Sequence, residues 1–274
     1  MKFWRAKQLT LRKFKRLTGV SRRTFQEMVG LVKADEKNKK KSGRRPKLII
    51  EDQVLMVIQY WREYRTYYQI GLDWGLSESA VCRTVYKIEN ILIRSRKFSL
   101  PGKKELWKMS SHEDLVVMDV MESSIERPKK GQKRFFSGKP GEHTLKTQVI
   151  IHQKTSQIIC LAHGLGRIHD FQLFKSSGIK FGELLKVIAD KGYQGMAKIH
   201  QLSQTPIKKP KGKKLRQEQK KYDRELNRLR IPVEHVNRRL KIFKILDYRY
   251  RNRHRRFGLR SNLIAGIYNH ELAI

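Results

Sequence analysis

Between Leu11 and Val32 the apolar residues Phe14, Leu17, Val20, Phe25, Met28, Val29 and Val32 recur at close to helical intervals. The pattern predicts two short helices parted at Thr18-Gly19-Val20-Ser21, with Ser21 placed to cap the second. A second helical block runs from Leu48 to Ile93. In it Val54, Leu55, Ile58 and Trp61 form one apolar face, Tyr67 to Trp74 forms a helix that stops at Gly75-Leu76-Ser77, and Ser77 opens a third helix over Glu78 to Leu92. Val81, Val85, Ile88 and Leu92 face inward in this last helix, and Ser79, Cys82, Arg83, Tyr86 and Lys87 face out. A helix, a tight turn containing glycine and a second helix make a helix-turn-helix whose outward residues suit a major groove. The same pattern also describes a helical bundle without groove contact.

Past the turn Pro101-Gly102-Lys103-Lys104 the periodicity changes. Asp114 to Met121 is a short apolar run of β-branched character, a buried strand with Asp119 near its far end. Thr144 to His152 and Ser156 to His163 read as two more strands joined by the turn Gln153-Lys154-Thr155. Asp170 then starts an amphipathic helix with Phe171 and Phe174, and Leu184 to Asp190 forms a further strand that ends on an acid with glycines beyond it. The chain closes with a long helical segment around Glu234, where Pro232 marks a helix start or a kink, and with a packing helix over Gly258 to His270. The predicted class is α/β: a mixed sheet flanked by helices, preceded by a helical helix-turn-helix region. The expected division is 1–36 as an N-terminal helical region, 37–47 as a basic linker, 48–100 as the helix-turn-helix domain and 101–274 as the sheet domain.

Charge changes the picture more than size does. Lys and Arg number 62 against 25 Asp and Glu, a formal charge of +37 in 274 residues. Self-repulsion on that scale calls for a polyanion, and double-stranded DNA with its releasable counterions is the expected partner. The run Lys37 to Pro46, which includes Arg44 and Arg45, would lie along phosphates. Lys208 and Lys209 open a second basic run to Lys214 that reads either as a phosphate contact or as a solvated loop. The apolar runs are strand-sized, so no membrane partner is expected. The N-terminus lacks the apolar core of a signal peptide, so the protein is expected to stay inside the cell, and a cytoplasmic, nucleoid-associated protein is the expectation. Cys82 and Cys160 are too few and too far apart for a zinc site or a disulfide framework.

Against this cationic background the acids stand out. A carboxylate inside a strand is costly to bury unless it is paired or ligates a metal, so Asp119 has either an ion-pair partner, Arg127 being the nearest in sequence, or a metal. Asp190, at the C-terminal edge of a sheet where α/β sites form, can meet it. Glu234 lies among cations: around a helix Lys241 falls about 20° from it and Arg230 about 40° to the other side. Alone it serves equally well as a first-turn carboxylate favoured by the helix dipole. Three such carboxylates are hard oxygen ligands for Mg²⁺ or Mn²⁺, and two ions about 3.5–4 Å apart can activate an attacking oxygen and stabilise a leaving one.

The residues Met118-Asp119, Ile125-Glu126-Arg127-Pro128, Ser137-Gly138-Lys139, His143 to Val149, Gly166 to Asp170, Ala189 to Gly195 and Asn227 to Lys241 resemble the DDE transposases of bacterial insertion sequences, in the branch related to eukaryotic Harbinger elements. The likeness covers about Leu48 to the C-terminus, and in its last block Arg230, Glu234 and Lys241 keep the family's spacing. The resemblance implies an RNase H-like fold, with Asp119, Asp190 and Glu234 as ligands of two Mg²⁺ or Mn²⁺ ions and with Arg230 and Lys241 holding phosphate or the transition state. Lys139 and Lys146, in the matching segments, join Ser79, Arg83, Tyr86, Lys87, Arg44, Arg45, Lys208 and Lys209 as expected DNA contacts. Asp170 also matches a family acid and rivals Asp190 as second ligand. Val120-Met121 and Asn227 depart from the family pattern, which has a small residue and Thr at the first place and Tyr at the second. The implied activity is metal-dependent cleavage at terminal inverted repeats and 3′-hydroxyl strand transfer, by a homodimer or higher assembly that pairs two ends. A catalytically inactive DNA-binding protein or repressor, and a nuclease that cuts without joining, are the alternatives.

Overall fold

Capping residues divide the first hundred positions into short helices. The computed structural model describes residues 2–274 apart from 40–42, 44, 110, 112, 210, 211, 213 and 253. Helix α1 (Phe3–Ala6) is followed by α2 (Leu11–Thr18) and α3 (Arg22–Lys37). Gly19, at φ 82°, ends α2 in the left-handed region that glycine adopts without strain, and the Ser21 side chain accepts the Thr24 N–H to open α3. Helices α4 (Ile50–Glu63), α5 (Tyr67–Trp74) and α6 (Glu78–Arg94) follow. Thr66 and Gln69 form a capping box at the start of α5, Gly75 ends it, and Ser77 accepts the Ala80 N–H at the start of α6. Of the apolar positions read from the sequence, Phe14, Phe25, Met28, Val54, Ile58, Trp61, Val81, Val85 and Ile88 are buried, whereas Leu17 is exposed.

The sheet comes next. Helix α7 (Lys103–Lys108) leads into β1 (Leu115–Ser124); α8 (Gln132–Phe135) and β2 (Phe136–Ser137) precede β3 (Glu142–His152) and β4 (Ile158–Leu165). Helix α9 (Asp170–Ser176), β5 (Lys186–Ile188), β6 (Ser203–Gln204) and the long α10 (Gln217–Leu240) complete the series. β1 pairs antiparallel with β3, which pairs antiparallel with β4 and β2. On its other side β1 pairs parallel with β5, and β5 with β6. This is the predicted mixed, RNase H-like sheet flanked by helices. Val116 and Met118 of β1, with Ile150 of β3, turn one sheet face into a core with Phe174, Leu185 and Tyr193. Successive strand residues alternate faces, so Asp119 points to the opposite side.

Several boundaries differ from the sequence reading. β1 runs on to Ser124, which puts Asp119 in mid-strand rather than near its end. β5 is three residues long and stops before Asp190, because Asp190 instead caps the 3₁₀ turn Lys191–Tyr193 by accepting the Gly192 N–H. The short strands β2 and β6 carry no alternation that would reveal them. Pro232 does not start a helix: it lies inside α10, which continues past it to Leu240.

The last helix, α11 (Phe257–Leu272), does not belong with the sheet. One compact unit comprises Met1–Ser99, Leu240–Tyr248 and Asn252–Ile274; the other comprises Leu100–Arg239 and Arg249–Arg251. The units part between Ser99 and Leu100, and Leu240–Tyr248 and Asn252–Ile274 pack with the helices rather than with the sheet. Two polar contacts within the helical unit explain this. Buried Arg260 of α11 donates from Nε to Glu89 Oε1 of α6 at 2.7 Å, where Trp61 Nε1 also donates at 3.1 Å. Glu271 accepts the Ser21 N–H at 2.8 Å and the Lys15 ammonium at 2.6 Å at the start of α3. Both cysteines are free, and no described helix is long and apolar enough to cross a membrane.

Candidate active site

Asp119 is partly buried on β1, and one helix meets both of its oxygens. Asn237 Nδ2 of α10 donates to Oδ2 at 2.9 Å, and the Arg230 guanidinium lies 3.6 Å from Oδ1. Arg230 and Asn237 are seven positions apart, two helical turns less about 20°, so they share a stripe. Leu226, Val233, Val236 and Leu240 bury the adjoining stripe and fix the rotation of the helix. Arg127, the nearest sequence candidate to neutralise Asp119, donates instead to Gln132 Oε1 at 2.9 Å. Burial pushes the Asp119 carboxyl up to about 6; Arg230 and, more weakly, Lys139 pull it down, while the negative charge of Asp190 adds to the rise.

Asp190 and Asp170 converge on Gly192. A methyl group built there would stand 2.7 Å from Asp170 Oδ2 and 3.0 Å from Asp190 Oδ1, so the position has no room for a side chain. The two acids nevertheless differ in their company. Asp170 is engaged by Lys146, whose ammonium donates to Oδ1 at 2.7 Å and lies 3.7 Å from Glu122. Lys146 pairs with Glu122 in the sheet register and so stands on the face opposite Asp119. Asp190 accepts the Gly192 N–H at 2.9 Å and acts electrostatically on Asp119. Tyr193 next to it is buried and donates to Gln148 Oε1 at 3.0 Å.

Glu234 is exposed on α10, about 40° from Arg230 and 60° from Asn237 around the helix axis, on the solvent side of the stripe that touches Asp119. Lys241 falls one residue past the end of α10 and is half-buried in the helical unit. Among the described residues no three His, Cys, Asp or Glu side chains stand close enough together to hold a metal ion. The donor set still suits a hard cation in kind. Asp119 and Asp190 lie within electrostatic reach of each other, and both are hard oxygen donors.

The expected DNA contacts divide into three groups. Arg45, Arg83 and Lys87 line one cavity of about 610 Å³ beside the start of α6, with Ser77 and Thr84. Ser79 and Arg83 are exposed, Lys87 is ion-paired with Glu36, and the Arg256 guanidinium lies 4.1 Å from the ring centroid of Tyr86. Lys139, Lys208 and Lys209 are exposed on the sheet unit. Lys146 is a correction: buried and paired with Asp170 and Glu122, it supports a carboxylate rather than facing DNA. Arg44 lies outside the described residues. Asn237 and Gly192 were not foreseen. Helical spacing from Arg230 was the available signal for Asn237, whereas the closeness of Gly192 to two acids depends on tertiary structure.

Comparisons with known proteins give the family of the chain. A family model described as DDE superfamily endonuclease matches residues 118–269, and one described as helix-turn-helix of DDE superfamily endonuclease matches residues 46–98. The chain is 83% identical over its whole length, and 99% of the relative's, to a protein of Microchaete diplosiphon named as a probable transposase for insertion sequence element IS702. It is 26% identical over 84% of its length, and 83% of the relative's, to a Streptomyces albus G protein named as a putative transposase for insertion sequence element IS112. No solved structure matches the chain. With the helix-turn-helix at 46–98 and the endonuclease segment beginning one residue before Asp119, the chain belongs to the DDE superfamily endonucleases and is a transposase.

Proposed function

We propose that this transposase cuts a phosphodiester at the terminal inverted repeats of an insertion sequence and joins the freed 3′-hydroxyl to target DNA. Asp119, Asp190 and Glu234 are its divalent-metal ligands. The observation that carries the reading is Asp119 in mid-strand, held by α10 and within electrostatic reach of Asp190. The engagement of Asp170 by Lys146 favours Asp190 as the second ligand. A bound Mg²⁺ or Mn²⁺ pair supplies Lewis acidity and an activated oxygen nucleophile. The chain's own groups then hold and orient: Asn237 fixes the plane of the Asp119 carboxylate, Arg230 places positive charge beside the same carboxylate, and Glu234, exposed on the solvent side of α10, would complete the ligand set. Lys241 assists from just past the helix end by holding phosphate.

The cavity formed by Arg45, Arg83 and Lys87 supports end recognition by α6, with Lys139, Lys208 and Lys209 on the DNA backbone. The enzyme acts on the nucleoid in the cytoplasm, as a homodimer or larger assembly that pairs two ends. The test is purified protein incubated with duplexes that carry the element's own ends. The reading expects cleavage only with Mg²⁺ or Mn²⁺, and joined products when target DNA is present. Binding without cleavage would establish an inactive DNA-binding protein instead, and cleavage without joined products a simple nuclease.

A further inference from the structure

On the sheet unit a cleft of about 630 Å³ is lined by Arg127, Gln132, Lys133, Phe136, His143 and Arg167, with no acidic side chain among them. It is separate from the carboxylates. Asp119 pairs with Val149 of β3 while Phe136 pairs with His143, roughly 20 Å away at the usual rise per strand residue. Its volume falls in the range that holds a small-molecule-sized group, far short of a duplex.

The construction of the cleft is specific. Phe136 is 45% exposed; its strand pairs with β3, and its ring packs edge-on against His143 at 5.7 Å between centroids. Arg127 is set in place by the hydrogen bond from its Nε to Gln132 at 2.9 Å. Arg167 follows Gly166, where a side chain would collide with the Phe135 carbonyl and with Thr144, so only glycine lets the chain pass there. An aromatic face among three cations offers a stacking platform beside phosphate donors. In duplex DNA the faces of the bases are covered by their neighbours, so such a platform has a partner only where bases are unpaired.

We propose that this cleft takes one unpaired nucleotide of single-stranded DNA, with its base laid on Phe136 and its phosphates held by Arg127, Lys133 and Arg167. The inference rests on the endonuclease reading, since unpaired bases arise where the strands part at a cut element end. It assigns the cleft a role apart from end recognition by α6 and apart from the metal ligands.

The experiment uses the full chain and a short single-stranded oligonucleotide that carries 2-aminopurine, with anisotropy for affinity and 2-aminopurine quenching for stacking. Phe136→Ala is expected to weaken single-strand binding about tenfold and to remove the quenching, while affinity for blunt duplex stays unchanged. Phe136→Tyr keeps both signals and has the parent's thermal melting profile, which guards against a folding defect. Arg127→Ala combined with Arg167→Ala weakens the binding and flattens its salt dependence. The proposal is overturned if Phe136→Ala leaves single-strand affinity and quenching intact, or if it lowers duplex affinity equally. It is also overturned if an acidic peptide with one aromatic residue displaces the oligonucleotide more readily than unlabelled single-stranded DNA does. Nicking assayed on the same preparation separates the two readings: stacking without nicking counts against the metal site, and nicking without stacking counts against the cleft.

Discussion

Asn237 and Arg230 hold the two oxygens of Asp119 from one helix, which makes the geometry of that carboxylate a property of α10. Groups that orient a metal ligand matter nearly as much as the ligand, and removing one typically costs about 10- to 100-fold in metal affinity or activity. Asn237→Ala is therefore expected to lower metal-dependent cleavage by about that factor and to weaken Mn²⁺ binding in a titration, while duplex affinity is unchanged; an unchanged Mn²⁺ affinity would count against the positioning role. As candidate ligands Asp119 and Asp190 stand out in the sequence because an acid that interrupts or ends an apolar strand is rare. Glu234 is a candidate only through its neighbours, because an exposed helical glutamate is common. Lys146 misled for a physical reason: sequence does not reveal that a lysine in a strand faces two acids across the sheet.

At the scale of elements, α10 carries the greatest tension. A proline in a helix interior removes one hydrogen bond and crowds the preceding turn, at a cost of about 3 kcal/mol, yet α10 continues for eight residues beyond Pro232. Pro232 sits between Arg230 and Glu234, so it sets how their two helical turns face Asp119. Pro232→Ala is expected to raise the melting temperature and to lower cleavage, the signature of local strain kept for the site; a variant that is both more stable and fully active would show that the proline has no such part. Sequence periodicity identified the longer helices and the three long strands, because caps and alternation act locally, but not the short α1, α7 and α8, the second of which starts inside the stretch read as a turn. It missed β2 and β6, whose two residues each are defined by their partners rather than by their own pattern.

At the scale of the whole molecule, the chain returns its C-terminus to its N-terminal helices. Buried Glu89 is satisfied by Arg260, Arg256 and Trp61, two of which arrive from the end of the chain. Removing one partner of such a buried ion pair typically costs about 3–5 kcal/mol. Residues 1–100 expressed alone should therefore show no cooperative thermal transition by circular dichroism, although a domain boundary near Pro101 is readable in the sequence; a sharp transition would contradict the assignment of α11 to that unit. This closure was not legible, since nothing local in Phe257–Leu272 says which helices it covers. It also creates a pH dependence. Burial works against the Glu271 carboxylate, but hydrogen bonds from Lys15, Thr24 and Ser21 outweigh it and hold the group below its ordinary value. A carboxyl depressed on folding binds fewer protons in the native state, so its contribution is complete above the unfolded value of about 4.3 and is lost as pH falls through the native one. Glu271→Gln should then be less stable than the parent at neutral pH and should lose less stability on acidification below that range, as read by urea denaturation across pH.

These scales meet at Asp119, and one substitution tests them together. Asp119→Ala, compared with the parent on duplex carrying the element's ends, is expected to cut Mg²⁺- or Mn²⁺-dependent nicking by at least about 100-fold while duplex affinity through the helix-turn-helix stays the same. Nicking that persists at the parent's rate in a folded Asp119→Ala protein would contradict the account.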